Sequence, residues 1–307
     1  MAQQPPLQPT PVGALRFNTD SSKLEYYDGN QWVNITSDSP EAQTGGARGV
    51  AGGGWNPGVV STIKYYTIST LGSEQSFGDL TRAGRNHGAC ASRTRGVFGG
   101  TFPQAYQATI DYITFSQPGN AIDFGDLTLG RTAAPGLSSS TRGCWAGGYS
   151  YSPGPSAMSN IIDYIEIAST GNALDFGDLT YRTDFPAACA SRTRAFWAGG
   201  TDPGTAGLAG LDTLTISSRG NATDFNDDIP HRGGGGLSDQ TRGVWPSING
   251  GTNVIEYITM AATGTAVDFG DAYVAAASAA GLSSPTRGIM GGGDAPAYTN
   301  VIQYLTI

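Results

Sequence analysis

Apolar residues recur at alternate positions in short runs along the chain, and none of these runs continues at helical spacing. Ile110-Asp111-Tyr112-Ile113-Thr114 and Val254-Ile255-Glu256-Tyr257-Ile258-Thr259 follow a period of two, as in a strand with one buried and one wetter face. Before each lies an apolar run that ends in glycines, such as Arg95-Gly96-Val97-Phe98-Gly99-Gly100. Before that comes a run of small residues, such as Gly88-Ala89-Cys90-Ala91. After the alternating run, a turn at Gly119-Asn120, Gly171-Asn172 or Gly220-Asn221 leads into an Asp-Phe-Gly-Asp segment, which reads Asp-Phe-Asn-Asp at 224–227, and Gly and Asn are the residues that tolerate turn backbones. Each unit therefore predicts four short strands.

The units are internal repeats. Arg48, Arg95, Arg142, Arg194, Arg242 and Arg287 each open the glycine-ended run, at spacings of 45 to 52 residues. A second landmark follows the first five of them, ending at Asp79, Asp126, Asp178, Asp227 and Asp271. Four strands in about 48 residues is the unit of a propeller blade. The expected fold is all-β, a propeller of six blades, with five or seven as alternatives. There are six second-and-third strand pairs but five Phe-Gly-Asp strands, so the first blade lacks its inner strand and the last its outer one. Residues Gln31-Trp32-Val33-Asn34-Ile35 are the candidate to fill the last blade, which would remove an exposed sheet edge.

The paired glycines, the Tyr-containing third strand and the aromatic in the fourth resemble the kelch repeat over about residues 44–307. The chain departs from that repeat with Phe where the fourth strand usually has Trp, and with Thr-Arg-Gly at the second strand. Residues 13–35 carry three further strands, at Ala14–Asn18, Leu24–Tyr27 and Trp32–Ile35, with turns at Asn18–Ser22 and Asp28-Gly29. Gly13, Phe17, Asn18, Thr19, Tyr27, Gly29 and Trp32 make this string similar to a small β-motif of bacteriophage tail fibres. Units such as Gly171-Asn172-Ala173-Leu174-Asp175-Phe176-Gly177-Asp178-Leu179-Thr180 resemble structural proteins of marine phages, cyanophages in particular. The resemblance implies a virion protein, tail-fibre or tail-associated, with a capsid decoration protein and a cytosolic kelch-type adaptor as alternatives. Residues 1–12 read as an extended anchoring arm held by other virion proteins, 13–43 as the β-motif and 44–307 as the propeller, within a large homo- or hetero-oligomeric assembly.

Composition narrows the chemistry. The 307 residues include 46 glycines without a period of three, and 14% are charged, too few for a disordered chain. The net charge is −8 with no basic stripe, which argues against a nucleic-acid partner. Met1–Val12 has no positive or apolar signal region, and no run of 18 apolar residues predicts a membrane helix. Cys90, Cys144 and Cys189 have no CxxC spacing and read as buried thiols.

No catalytic, cofactor or metal motif emerges, so the chain is not expected to be an enzyme. Asp-Phe-Gly is repeated without the other kinase motifs. Pairs such as Asp123 and Asp126 lack calcium-loop spacing, and as a glycosidase pair they are repeated rather than singular. His87 and His231 read as loop residues. The six arginines are expected to pin neighbouring blades through carbonyls or through the repeat aspartates. The variable loops between second and third strands carry Trp55, Phe102, Tyr106, Tyr149, Tyr151 and Tyr298, the candidate residues for glycan, receptor or protein binding.

Overall fold

A computed structural model describes residues 10–19, 23–35, 48–55, 57–70, 72–102, 107–150, 157–201, 210–226, 229, 233, 235–246, 252–275, 278–293 and 298–307. The chain is all-β, with no helix among the described residues. Its contacts divide it into two compact units, Met1–Ala42 and Gln43–Ile307.

The first unit holds an antiparallel sheet of Leu15–Asn18 (β1), Lys23–Tyr27 (β2) and Trp32–Asn34 (β3) in that order. Its second turn is an Asx turn, in which the Asp28 carboxylate accepts from the N–H groups of Asn30 and Gln31 at 2.7 and 2.8 Å. Those two bonds hold the Asp28 carboxyl below its ordinary range. The Arg16 guanidinium pairs with Glu25 at 2.7 Å and lies 4.2 Å over the Trp32 ring. The strand expected to complete the last blade, within residues 31–35, pairs with β2 in this unit.

The second unit holds six antiparallel sheets among the described residues. The first is Arg48–Gly52 (β4), Val60–Thr67 (β5) and Gln75–Gly84 (β6). The second is Gly88–Ala91 (β7), Arg95–Thr101 (β8), Gln107–Thr114 (β9) and Ile122–Asp126 (β10). The third includes Arg131–Thr132 (β11), Gly136–Ser138 (β12), Arg142–Ala146 (β13), Tyr149–Ser150 (β14), Ala157–Glu166 (β15) and Leu174–Thr183 (β16). The fourth is Ala187–Ala190 (β17), Arg194–Ala198 (β18), Leu211–Thr215 (β19) and Thr223–Asn226 (β20). The fifth is Leu237–Ser238 (β21), Arg242–Pro246 (β22), Val254–Thr259 (β23) and Val267–Asp271 (β24). The sixth is Ala280–Ser283 (β25), Arg287–Gly291 (β26) and Ile302–Thr306 (β27). In five of the six sheets the strands pair in chain order; in the third, β12, β13, β15 and β16 keep that order while β14 pairs with β15 and β11 with β14, so the inner, small-residue strand lies at one side and the Phe-Gly-Asp strand at the other where both are present.

The core lies between the sheets. One apolar cluster joins the first and second sheets around Phe77, Phe98 and Ile113. The next is built around Phe124 and Trp145, and the one after around Phe176 and Trp197. Two more join the fourth to the fifth around Phe196 and Trp245, and the fifth to the sixth around Val244 and Met290. Burying each large side chain contributes about 1.5–3 kcal/mol, so every junction is an apolar contact in its own right.

Candidate functional site

The repeated arginines stand at the first position of β4, β8, β13, β18, β22 and β26. Each guanidinium lies over an aromatic ring of its own sheet: Arg48 on Tyr65, Arg95 on Tyr112, Arg142 on Tyr164, Arg242 on Tyr257 and Arg287 on Tyr304. In the fourth sheet Phe196 and Phe225 take that place for Arg194, where β19 carries Thr213. Five of the six then donate to a carbonyl of the adjoining sheet. Arg48 reaches Phe115 at 2.8 Å, Arg95 reaches Ile167 at 2.9 Å and Arg142 reaches Ile216 at 2.8 Å. Arg194 reaches Met260 at 2.6 Å, and Arg287 reaches Ile68 at 2.8 Å. The acceptors are carbonyls rather than the repeat aspartates. Asp79, Asp126, Asp178 and Asp271 form no ion pair with arginine among the described residues, and Asp227 lies outside them.

The Phe-Gly-Asp strands work mainly through their backbone. The N–H groups of Asp79, Asp126 and Asp178 each donate at 3.1 Å to the side-chain oxygens of Asn120, Asn172 and Asn221 in the next sheet. Their carbonyls accept from Ala121, Ala173 and Ala222, each at 2.8 Å. The register slips by one residue at this point in all five sheets that have the strand, which marks a β-bulge. A Cβ on Gly177, at φ +149°, would meet the Gly220 carbonyl oxygen at 2.5 Å, so the bulge needs glycine where the next sheet's turn comes close.

A second interlock was not read from the sequence. Thr81 donates its N–H and hydroxyl to the Asp111 carboxylate at 2.9 and 2.7 Å. Thr128 does the same to Asp163, and Thr180 to Asp212. Burial raises the Asp111 carboxyl above its ordinary range, and the Thr81 bonds oppose that rise. Gln303 replaces the aspartate in the sixth sheet and exchanges two hydrogen bonds with the backbone of Val274, at 2.8 and 2.9 Å. The signal available was the Leu-Thr after each of the first three Phe-Gly-Asp segments, together with a polar residue between apolar ones in five of the six third strands. At the junction of the second and third sheets Arg131 is also fully buried. It pairs with Asp163 at 3.0 Å and donates to the carbonyls of Gly147 and Ile161 at 2.9 and 2.7 Å. Burial lowers its pKa and the aspartate opposes that.

The inner strands and the turns before them add two more contacts. A Cβ on Gly49 would meet the Leu282 side chain at 2.6 Å, and one on Gly243 would meet the Cys189 sulfur at 2.7 Å. The glycine after Arg48 and after Arg242 thus leaves the space into which another sheet's inner strand packs. Asn86, Ala133 and Phe185 all have left-handed backbones, with φ of 59°, 56° and 54°, a conformation that costs non-glycine residues about 1 kcal/mol or more. A ladder sustains it: Ala133 donates to Asn86 at 3.2 Å, Phe185 to Ala133 at 3.1 Å and Gly233 to Phe185 at 3.1 Å. All three cysteines are buried free thiols. Burial raises Cys90 and Cys189 far above the ordinary thiol range and pushes Cys144 up to about 12, which disfavours the thiolate at all three.

These interlocks absorb the repeat residues, and the loops between second and third strands remain. Trp55 is 48% exposed and Tyr298 77% exposed. Phe102 is half-buried beside Arg85, and Tyr149 pairs with Thr132 through the backbone. Tyr106, Tyr151 and His231 lie outside the described residues. The Arg85 guanidinium lies over both the Trp55 and the Phe102 ring, 5.0 Å from each centroid. Nearby, His87 is largely buried, with Nε2 3.3 Å from the Thr101 hydroxyl. Burial lowers its pKa to about 4, so it is a neutral packing group at pH 7.

A cavity of about 290 Å³ lies among the inner strands, lined by Cys90, Leu137, Ala190, Ser238 and Leu282. Its walls carry no acid–base set. Among the described residues no three His, Cys, Asp or Glu side chains cluster to hold a metal ion, and no helix is long and apolar enough to cross a membrane. No protein-family model matches the chain, and no curated protein matches it significantly.

Proposed function

We propose that the chain is a structural protein of a bacteriophage particle, tail-fibre or tail-associated, whose residues 44–307 form a six-bladed kelch-like β-propeller that presents aromatic loops to a partner or a host surface. The observation that carries this reading is the division of labour among residues. Repeated charged and glycine positions serve sheet-to-sheet interlocking, while the exposed aromatics Trp55 and Tyr298 lie in the variable loops. A rigid frame with variable aromatic loops suits recognition rather than turnover.

Propeller closure is supported by the contacts of the sixth sheet with the first. Arg287 reaches the Ile68 carbonyl and Leu282 fills the space at Gly49, the same two contacts that join successive sheets. The sixth blade still needs a fourth strand. Residues 31–36, Gln-Trp-Val-Asn-Ile-Thr, follow the pattern of Ser76-Phe77-Gly78-Asp79-Leu80-Thr81, and in this proposal 31–35 supply that strand. The virion assignment rests on the likeness of residues 13–35 to the tail-fibre motif and of the blade units to marine phage proteins.

Mass spectrometry of purified particles tests the assignment: the chain is expected among the structural proteins, and its absence sinks the proposal. Immunogold labelling of intact particles then places it at the tail, as expected, or on the capsid as a decoration protein. Attachment of the purified protein to host cells tests the role of the loops.

A further inference from the structure

One guanidinium on the loop side is not used by the interlocking. Arg85 follows β6, and its backbone is fixed from two sides. Its N–H donates to the Phe102 carbonyl at 2.9 Å, and its own carbonyl accepts from the Phe102 N–H at 3.1 Å and the Thr101 hydroxyl at 3.2 Å. The guanidinium lies 5.0 Å from both the Trp55 and the Phe102 ring centroids, while Nε is buried without a hydrogen-bond partner. No carboxylate pairs with it among the described residues. Thr132 and Asp184 stand at the equivalent position in the next two units, one residue before the left-handed turns at Ala133 and Phe185. Arg232 stands at that position in the unit after those, before the left-handed Gly233, and the stack on Trp55 and Phe102 is described at the first junction.

Stacking covers the faces of a guanidinium and leaves its in-plane edge, where the N–H donors form the fork that matches a carboxylate. Two ring contacts and a buried Nε leave the group partly desolvated, and a desolvated donor discriminates strongly against a ligand that cannot accept from it. The half-exposed Trp55 indole beside it offers apolar surface of the kind on which the C–H face of a sugar ring packs. We infer that the Trp55–Arg85–Phe102 junction is a subsite for a carboxylated sugar unit of a surface polysaccharide. This rests on the loop-presentation reading above and specifies its ligand: the carboxylate sits on Arg85 and the pyranose ring on Trp55.

Trigalacturonate and its methyl ester are suitable probes, because they differ in charge but share the ring. In calorimetric titrations the wild-type protein is expected to bind the acid about tenfold or more tighter than the ester. Arg85→Gln is expected to abolish that preference, and Arg85→Lys, which keeps the charge without the fork, to retain part of it. Trp55→Ala is expected to weaken both probes alike. Thermal melts establish that each variant is folded, and Arg85→Lys carries the test if Arg85→Gln is not. Equal affinity of the wild type for acid and ester overturns the inference, as does an unchanged preference in Arg85→Gln or a failure to bind either probe. Host-cell attachment by the wild-type protein in the face of any of those results leaves loop presentation standing and removes only the acidic-sugar subsite.

Discussion

Tyr164 in the third sheet and Tyr304 in the sixth hold the same place in their third strands, yet Tyr164 is 8% exposed and Tyr304 53% exposed. An arginine stacks on each, Arg142 and Arg287, both at 4.7 Å from the ring centroid. What differs is the strand beyond. Phe176 of β16 meets Tyr164 edge-to-face at 5.6 Å, while no described strand pairs with the outer edge of β27. The stacked arginine therefore belongs to the pair of strands that carries it, and the burial belongs to the fourth strand. Local contacts complete themselves in every unit, whereas burial depends on what the rest of the chain or a partner brings.

Phe176→Ala should sharpen this contrast most. It removes a buried ring and uncovers Tyr164, at an expected cost of about 3–5 kcal/mol in urea unfolding, while Tyr304→Ala should cost under about 1 kcal/mol. Similar costs at the two sites would mean that the sixth sheet's outer edge is covered in solution. The junction of the first and second sheets extends the comparison to pH, because His87 stands where the next junction has buried Ala134. The folded protein keeps His87 neutral down to about pH 4, whereas an unfolded histidine takes up a proton near pH 6.5. The unfolded state then binds more protons in this window, so the contribution is complete above pH 6.5 and is lost as pH falls toward 4, by roughly 2–3 kcal/mol. His87→Gln should flatten that part of the stability–pH curve, and an unaltered slope would assign the acid sensitivity elsewhere. The smallest contrast is between arginines. Arg142 has the Ile216 carbonyl, Glu166 and the Tyr164 ring, whereas the described contact of the Arg242 guanidinium is the Tyr257 ring. Arg142→Met should lower stability by about 1–2 kcal/mol and Arg242→Met by about 0.5 kcal/mol or less in thermal melts. Equal losses would show that stacking, not the carbonyl bond, carries the effect.

The strand pattern was legible because it is written in side chains. All six arginines fall on the first residue of a second strand, and the five Phe segments fall in fourth strands. The three N-terminal strands lie within a residue or so of their expected limits. The interlocks were less legible. Asp163 looked like the wet face of an alternating strand, but it is fully buried because Thr128, just after the second sheet's last strand, and Arg131, in β11 of its own sheet, come to it. The left-handed turn at Asn86, Ala133 and Phe185 could not be read at all, since these residues share no side-chain property and the turns are linked through backbone hydrogen bonds. At the loops the sequence picked out Trp55 and Phe102, but not the Arg85 that lies over both rings, because an isolated arginine carries no periodic signal.

The buried thiols have a practical consequence. Cys90, Cys144 and Cys189 lie in the second, third and fourth sheets, so the native molecule already contains a gauge of its own breathing. Their slow capture by an alkylating reagent would time how often those sheets part, and peptide mapping of the tagged cysteines would tell which seam opens first.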